Sequence, residues 1–561
     1  MASMRQSLSQ KTIWFLLSLA IPLYFGLISL HYAFSQDYLI QDDARLHIVW
    51  LQQLVDSDLF PADLLANYYQ TIQATGFKAF YWIMAQVGIS PLLLAKLLPP
   101  FLALIATGYL FHLTLLLLPM PACGFLTTLL LNQNIWLKDD LISATPRAFI
   151  YPLFTAFLYY LLRRSPVPLL IALTLTSLFY PQVALVELGI LTLRLWSGES
   201  RKNYKPYALW LTAVILVGIT VLPFQQQITA QFGEILTAAE MQQMPEFGLN
   251  GRREYFGVDP VSFAFRGASG LRLPLFPPIL WASLGLPILL RTQSPTVNAM
   301  TSEVKLLLQI GVASVTLFLL AHLLFPQLYL PSRYTFYSFR IGMPLAAGIV
   351  LWIGLAAGWR WWRRLSQPSF LQKFSMGLVS LFAVAVVVIP AIPALFLDTQ
   401  GWIVGTQPQI YQFLAEQPKD TLIASLTPET DNLPAFTQRS VLVSRELALA
   451  YHPAFYDTMQ QRMSDLLAAQ YSSDLATLQA VIQKYGIDFW LLDQQFASPD
   501  YLAQQDWLRY SSVQNTVDAT IRRLEQGTVP AIRQTFAACT AISENNLIVL
   551  KATCIGAVES E

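Results

Sequence analysis

The stretch Gln41-Asp42-Asp43-Ala44-Arg45-Leu46-His47 places two adjacent carboxylates, an arginine and a histidine just after the first long apolar segment of the chain. Charged side chains so close to hydrocarbon are costly unless they are paired, solvated or functional. One interpretation is that Asp42 and Asp43 form the acidic corner of a membrane-embedded active site. The alternative is a helix start, in which both carboxylates lie at the positive end of a helix that continues to about Asp56. The two interpretations are compatible.

The composition is that of a membrane protein with several spans. Of the 561 residues, 55% are hydrophobic and only 12% are charged, whereas roughly 25% are charged in a typical soluble protein. The formal net charge of +1 provides no basic face, so we expect no nucleic-acid partner. The three cysteines show no CxxC spacing, which excludes a standard zinc site.

About eleven apolar segments approach the roughly 20 residues that a membrane span needs. They are 12–31, 92–118, 122–137, 147–162, 166–180, 182–196, 206–223, 276–290, 305–325, 340–358 and 374–396. The first could instead be a signal peptide with a weak cleavage site at Ala33-Phe34-Ser35. It is longer than a typical signal core of about 7–15 residues, so we interpret it as the first membrane helix.

The distribution of charge predicts the orientation, because Lys and Arg concentrate in cytoplasmic connections. Four segments are rich in Lys and Arg: 163–164, 194–205, 291–305 and 360–373. Four other segments hold nearly all the remaining acids of the first 396 residues: 31–91, 137–147, 224–275 and 326–339. We therefore expect a cytoplasmic N-terminus and place the acidic segments, together with residues 397–561, outside.

Residues 1–396 are predicted to form the transmembrane domain, and residues 397–561 a separate extracytoplasmic α/β domain. In the second region, short apolar strands near 421–425, 441–444 and 488–492 alternate with helical patterns, which is typical of a mostly parallel sheet. Cys539 and Cys554 flank Asn545-Asn546, a turn between two strands. They could form a disulfide across this hairpin in an oxidising compartment, or remain two buried thiols.

The long first outer loop, about 31–91, is predicted to contain two helices. Apolar side chains from Leu46 to Leu54 recur at helical spacing, which indicates an amphipathic helix along the membrane surface. A second helix begins near Pro61. Asp42 and Asp43 lie in this loop where the first span ends, and a carboxylate there could act as a general base on a hydroxyl acceptor or hold a divalent cation. His47 shares a helix face with Asp43, and a purely structural role for that pair is the alternative.

A second acidic pair, Asp139-Asp140, leads into Thr145-Pro146-Arg147. Thr145 and Pro146 resemble the N-cap and first residue of the fourth span, so Arg147 falls in its first turn. A cation is unfavourable at a helix N-terminus. Arg147 therefore needs a counter-charge, either one of these two aspartates or an anionic ligand such as phosphate.

Further arginines recur in the segments predicted to lie outside. Arg252 and Arg253 lie in the 224–275 loop, and Arg333 and Arg340 bracket an aromatic run that begins at Tyr334. A planar guanidinium suits phosphate recognition. The aromatic side chains could line a lipid or sugar site, or belong to an interfacial belt.

The layout resembles the GT-C class of integral membrane glycosyltransferases, which includes protein O-mannosyltransferases, aminoarabinose transferases and the catalytic subunit of oligosaccharyltransferases. The shared features are the multi-span helical domain, the acidic first outer loop, the second aspartate pair and the outer α/β region. In that class an acidic residue of the first outer loop is central to catalysis, and the donor is usually a polyprenyl-phosphate-linked sugar. The Trp-Trp-Asp-Tyr-Gly signature of oligosaccharyltransferases is absent, and Asp-Asp replaces the Asp-Glu typical of mannosyltransferases.

The resemblance implies roles for particular residues. Asp42 or Asp43 would be catalytic, and Asp139 and Asp140 would match the acidic motif that some members use for a divalent metal, Mg or Mn. Apart from the resemblance, the chemistry of the guanidinium groups predicts that Arg147, Arg333 or Arg252 binds the donor phosphate, with Arg45, His47 and Tyr334 in support. Four stretches also resemble a bacterial, chiefly cyanobacterial, family of multi-span membrane proteins, which implies a bacterial inner membrane: 41–45, 145–149, 331–334 and 432–436.

The leading hypothesis is therefore a membrane glycosyltransferase that uses a lipid-linked donor and an extracytoplasmic acceptor. The alternatives are a transporter or flippase for lipid-linked glycans, and a non-catalytic assembly protein for such glycans. Transporters commonly contain inverted repeats and ionisable groups near the bilayer midplane. This sequence shows no repeat, and its charges concentrate outside the apolar segments.

Overall fold

The computed structural model describes residues 2–196, 204–367 and 369–557, with side chains from residue 10 onward. Each apolar segment predicted from the sequence is largely helical. The longer helices of the first 396 residues are Ala2–Ala33, Thr75–Gln86, Pro91–Leu117, Pro121–Trp136, Ile150–Leu162, Pro166–Phe179, Pro181–Trp196, Lys205–Phe232, Lys305–Leu323, Ser332–Arg363 and Phe370–Val388. The 276–290 segment is mostly 3-10 helix, over Pro278–Gly285, and continues as Leu286–Leu289.

Within the described ranges, six helices are long and apolar enough to cross a membrane: Gln10–Ala33, Pro91–Leu117, Lys205–Phe232, Ser302–Leu323, Ser332–Arg363 and Phe370–Ala391. The other predicted spans form shorter helices, such as Ile150–Leu162 with 13 residues. Many of these shorter helices are enclosed by neighbours; most side chains of Pro121–Trp136 are buried. The architecture is that of a helical membrane protein, but the count of eleven spans is not established.

The connecting segments separate into two groups at opposite ends of the helix bundle. At one end, Glu303 pairs with Arg194 at 2.8 Å and reaches Arg164 at 4.0 Å. At the other end, the acidic segments and the C-terminal region meet, for example through an ion pair between Arg252 and Glu446. This separation agrees with the division made from charge. The direction of the bundle across the membrane stays a prediction.

The first loop folds into the protein interior, so the expectation of one surface-lying helix running to Asp56 is wrong. An α-helix over Asp42–His47 gives way to a 3-10 helix over Val49–Leu54. Trp50 is fully buried and packs between two aromatic rings of the same loop. Val49 and Leu51 on either side of it are also apolar and buried. The second helix, Leu64–Thr71, begins close to the predicted position.

A short two-stranded sheet ties the first loop to the region after the last long apolar helix. Strand β1 (Leu39–Gln41) pairs antiparallel with β2 (Trp402–Val404). Just beyond this pair, the Asp42 N–H donates to the Gly401 carbonyl at 2.8 Å. Gly401 has φ +70°, a conformation that favours glycine. The start of the acidic helix is thus fixed by backbone hydrogen bonds.

The C-terminal region contains a five-stranded mixed sheet rather than the mostly parallel sheet that the sequence predicts. Its strands are β3 (Leu422–Ala424), β4 (Ser440–Val441), β5 (Phe489–Asp493), β6 (Thr540–Glu544) and β7 (Leu547–Lys551), in the order β4-β3-β5-β7-β6. Strands β4, β3 and β5 are parallel, whereas β7 runs antiparallel to β5 and β6. The tight turn at Asn545-Asn546 makes β6 and β7 antiparallel, and the pairing of β7 with β5 joins this hairpin to the parallel strands. A disulfide joins Cys539 and Cys554 at the base of this hairpin.

The helices of this region include Pro408–Ala415, Pro453–Gln470, Leu475–Tyr485 and Gln514–Glu525. The 224–275 loop packs onto them. Glu246 is 2% exposed and accepts hydrogen bonds from the Tyr456 hydroxyl and from the backbone and hydroxyl of Ser512. The Leu236 N–H also donates to the Tyr451 carbonyl at 3.0 Å. These contacts hold the loop, and its arginines, close to the acidic helix.

Candidate active site

Three short helical segments bring the acidic residues together. Asp42 and Asp43 occupy the first turn of Asp42–His47, whose N-cap is the Gln41 side chain. Asp139 and Asp140 begin the short helix Asp139–Ile142. Carboxylates are favourable in the first turn of a helix, which explains the local placement of both pairs.

Arg147 connects these carboxylates. It lies in the 3-10 turn Pro146–Phe149 that precedes the next helix, and its side chain is only 16% exposed. Its guanidinium forms ion pairs with Asp43, with Asp139 at 3.3 Å and with Asp140 at 3.1 Å. The local salt bridge considered from the sequence is therefore present, and it extends to the first loop.

Asp140 is the most deeply buried of these acids, with a side chain 1% exposed. Its second oxygen pairs with Arg340 at 3.1 Å, so Arg340 lies within the site and does not extend towards the membrane surface. Burial, and then the charge of Asp140, raises the pKa of Asp139 to about 6. Two guanidinium groups thus stabilise a crowded group of carboxylates.

Asp42 lies at the open side of the cluster. Its side chain is 41% exposed and accepts a hydrogen bond from Arg45, whose other terminal nitrogen donates to the Asn432 amide oxygen at 2.6 Å. Gly401 fits closely between the two acidic pairs. A Cβ added there would lie 3.6 Å from the Asp42 Cβ and 3.5 Å from the Asp139 Cβ.

A basic cluster lies beside the carboxylates. His47 is held by the Gln73 amide, 2.6 Å from its Nδ1, and does not pair with Asp43. Burial, together with the nearby charges of Arg253 and Arg333, lowers the pKa of His47 to about 4. The histidine is therefore neutral at physiological pH, and its environment is strongly positive.

Arg333 and Arg272 carry much of this positive charge. Arg333 is 8% exposed and donates to the Tyr337 hydroxyl at 3.3 Å. Arg272 and Arg340 both lie over the Phe336 ring, with guanidinium carbons 4.4 and 4.0 Å from its centroid. Burial and the charge of Arg333 lower the pKa of Arg272 to about 10. Among the described residues, no carboxylate forms an ion pair with Arg253, Arg272 or Arg333.

Two residues expected to contribute to the site have other partners. Arg252 is held by the Glu446 side chain at 2.5 Å and by its carbonyl at 2.7 Å. Tyr334 donates to the Leu328 carbonyl at 2.8 Å and is buried. Arg253 and Arg272 were not singled out from the sequence as phosphate ligands. The adjacency of Arg253 to Arg252 was a usable signal, whereas nothing in the sequence pattern marks Arg272.

The acidic pairs do not fit a divalent cation well. Mg²⁺ and Mn²⁺ need several oxygen ligands converging on one point. Here the guanidinium of Arg147 already lies against Asp43, Asp139 and Asp140. In the described part of the chain, no three His, Cys, Asp or Glu side chains are grouped so that they could hold a metal. We therefore assign no step to a metal ion.

Comparison with known proteins adds the fold class. No protein-family model matches the chain, and no curated protein sequence resembles it significantly. Among solved structures, the oligosaccharyltransferase of Archaeoglobus fulgidus, tethered to an acceptor peptide with the NVT sequon, aligns over 89% of this chain and 72% of its own, with a TM-score of 0.52 and 12% identity. ArnT from Cupriavidus metallidurans, bound to undecaprenyl phosphate, aligns over 96% of this chain and 98% of its own, with a TM-score of 0.51 and 13% identity.

The chain has the GT-C fold. The apo form of ArnT aligns equally completely, over 98% of this chain and 99% of its own, with a TM-score of 0.50 and 12% identity. The GT-C class expected from the layout is thus confirmed at the level of the fold. The similarity covers both the helix bundle and the C-terminal sheet.

Proposed function

We propose that this chain is a membrane glycosyltransferase of the GT-C type, which transfers a sugar from a polyprenyl-phosphate-linked donor to an extracytoplasmic acceptor. One observation carries the proposal: the short helix Asp42–His47 carries the half-exposed carboxylate of Asp42, and its His47 lies near Arg253 and Arg333, with which no described carboxylate forms an ion pair. Asp42 can accept a proton, and the two arginines can neutralise a phosphate. The GT-C fold supports the same reading, since ArnT has been solved with undecaprenyl phosphate.

Asp42 is the general base in this proposal. It is the most exposed of the four clustered acids, and Arg45 orients its carboxylate. An acceptor hydroxyl that gives its proton to Asp42 would attack the anomeric carbon of the donor sugar. The bond between that carbon and the phosphate oxygen breaks, and polyprenyl phosphate leaves with the electron pair. A positioned base contributes roughly 10²- to 10⁴-fold to such a step.

Asp43 has a different role. It is paired with Arg147, which also contacts Asp139 and Asp140. This network anchors the first turn of the acidic helix to the 139–149 segment, so it positions Asp42. Arg147 is consequently a positioning residue, and we do not assign it to the donor phosphate.

Arg333 and Arg253 are the groups that bind the donor phosphate. Both lie near enough to His47 to lower its pKa, so this histidine stays neutral. Each preorganised donor near a developing anion contributes about 10²- to 10³-fold to the reaction rate. Arg272 adds positive charge beside Arg333.

A cavity of about 260 Å³ lies beside the acidic helix. Gln41 and Ala44 line it together with mostly apolar side chains, including Phe34, Leu92 and Phe436. Such walls suit an apolar chain that approaches from the membrane. This cavity supports lateral access for a lipid-linked substrate.

The test is a comparison of lipid-linked and cell-surface glycans by mass spectrometry in a deletion strain. Complementation with the wild-type gene should restore the missing glycan, and Asp42→Asn should not, while lipid-linked donor accumulates. Arg333→Gln should behave similarly, whereas Arg163→Gln, at the far end of the bundle, should complement fully. Full complementation by Asp42→Asn would reject the proposed chemistry. In that case transport or assembly of lipid-linked glycans would be the better account.

A further inference from the structure

A second charged cavity lies at the end of the helix bundle opposite the carboxylates. The Ile150–Leu162 helix starts just after Arg147 and ends beside Arg164. Its 13 residues rise about 1.5 Å each, which separates the two sites by about 20 Å. The Pro166–Phe179, Pro181–Trp196, Lys205–Phe232 and Lys305–Leu323 helices all have one terminus at this cavity.

The cavity has a volume of about 680 Å³ and combines basic side chains with apolar walls. Arg164, Arg194, Lys205 and Lys305 supply the positive charge. Leucines from neighbouring helices and Trp210 supply the apolar surface. This combination is absent from the cavity beside the acidic helix, which includes one lysine and one aspartate.

The described side chains that line this cavity include four cations and no carboxylate. Glu303 pairs with Arg194 at 2.8 Å and reaches Arg164 at 4.0 Å. Arg194 also donates to the Gln309 amide oxygen at 3.2 Å, so it is held in place by its neighbours. The Arg164 side chain, in contrast, is 75% exposed. Among the described residues, Glu303 is thus shared between Arg194 and Arg164.

We propose that this cavity binds the headgroup of an anionic phospholipid from the leaflet at that end of the bundle. Basic side chains at the ends of membrane helices attract anionic lipids. The apolar walls would contact the upper acyl chains, which a free phosphate lacks. The Trp210 indole donates to Thr192 at 2.9 Å, and an aromatic ring at this depth is typical of the membrane interface. A zwitterionic headgroup would add its own ammonium to an already positive site.

The test uses the full-length protein in phosphatidylcholine nanodiscs with increasing fractions of phosphatidylglycerol. Native mass spectrometry counts retained phosphatidylglycerol after the protein is released from the nanodisc. Each basic residue near a membrane surface contributes roughly fivefold to the relative affinity for an anionic lipid. Arg164→Gln should therefore lower phosphatidylglycerol retention by roughly fivefold, and it changes an exposed side chain.

A triple variant, Arg164→Gln, Lys205→Gln and Lys305→Gln, should lower retention by roughly 100-fold. The matched control is Arg363→Gln, Arg364→Gln and Lys373→Gln, which removes the same charge from exposed residues at the same end of the bundle. The control should retain phosphatidylglycerol as the wild type does. Soluble glycerol phosphate should not displace the lipid.

Three results would overturn the proposal. The first is equal retention of phosphatidylcholine and phosphatidylglycerol by the wild type. The second is an equal loss in the cavity and control variants, which would indicate a general surface charge effect. The third is displacement by glycerol phosphate, which would assign the site to a soluble anion.

Discussion

Replacing Arg147 tests whether the acidic cluster is held together by one guanidinium. Arg147→Gln removes the positive charge shared by Asp43, Asp139 and Asp140. Asp140 keeps Arg340 as a partner, but Asp43 loses the only cation with which it forms an ion pair among the described residues. Breaking one partner from a buried ion pair costs about 3–5 kcal/mol. Because Asp140 remains paired, we expect a loss at the lower end, about 3 kcal/mol.

The assay is reversible unfolding of the purified protein in mixed micelles, followed by circular dichroism. A double-mutant cycle provides the decisive comparison. Asp43→Asn removes the unpaired carboxylate, so adding it to Arg147→Gln should recover about 1–2 kcal/mol, within the usual range for residues in direct contact. Arg163→Gln changes an exposed arginine at the other end of the neighbouring helix and should stay within about 0.5 kcal/mol of the wild type.

Two results would refute this reasoning. One is an Arg147→Gln variant as stable as the Arg163→Gln control, because that would mean the ion pairs behave as exposed ones, worth about 0–1 kcal/mol. The other is strict additivity of Asp43→Asn and Arg147→Gln, because that would mean the two side chains do not interact. Either outcome would remove the basis for treating Arg147 as a positioning residue.

Three further predictions follow from the same contacts. His47 has a pKa of about 4 in the folded protein against about 6.5 when unfolded, so its contribution to stability is present above pH 6.5 and is lost as the pH falls towards 4. His47→Gln should reduce this loss of stability between pH 6.5 and 4, measured by unfolding at a series of pH values, and an unchanged pH dependence would contradict the assignment. Since Arg147 occupies the space among the carboxylates, EDTA should leave glycan transfer by purified membranes unchanged, and rescue of lost transfer by added Mn²⁺ would show that a metal is needed. Cys554→Ser should destabilise the C-terminal hairpin by about 2–4 kcal/mol, measured by unfolding under non-reducing conditions, and dithiothreitol should destabilise the wild type but not the variant.

The sequence predicted those features that depend on local pattern. Long apolar runs marked the helices, and the two acidic pairs were recognised because each lies at the end of an apolar segment. The counter-charge for Arg147 followed from elementary electrostatics, since a cation in a first helical turn needs an anion. The separation of basic and acidic connections to opposite ends of the bundle also followed from composition.

Features that depend on tertiary packing could not be read in this way. The first-loop helix seemed amphipathic by spacing, but the structure buries Trp50 against Phe60 and Tyr69 of the same loop, a packing that spacing alone does not reveal. Arg252 and Arg253 are adjacent and chemically identical in the sequence. They differ because Glu446, almost 200 residues later, forms an ion pair with Arg252, whereas Arg253 lies near His47. The sequence did not predict the mixed sheet because β7 pairs antiparallel with β5, a strand far away in the sequence.

The most direct test of the proposed chemistry is transfer by purified protein. Lipid-linked donor that accumulates in the deletion strain would be extracted and added to nanodiscs that contain the wild type or Asp42→Asn, with acceptor membranes from the same strain. Release of polyprenyl phosphate would be measured by mass spectrometry. We expect release with the wild type and a rate lower by roughly 10²- to 10⁴-fold with Asp42→Asn. Equal rates for both proteins would contradict the claim that the Asp42 carboxylate acts as the base.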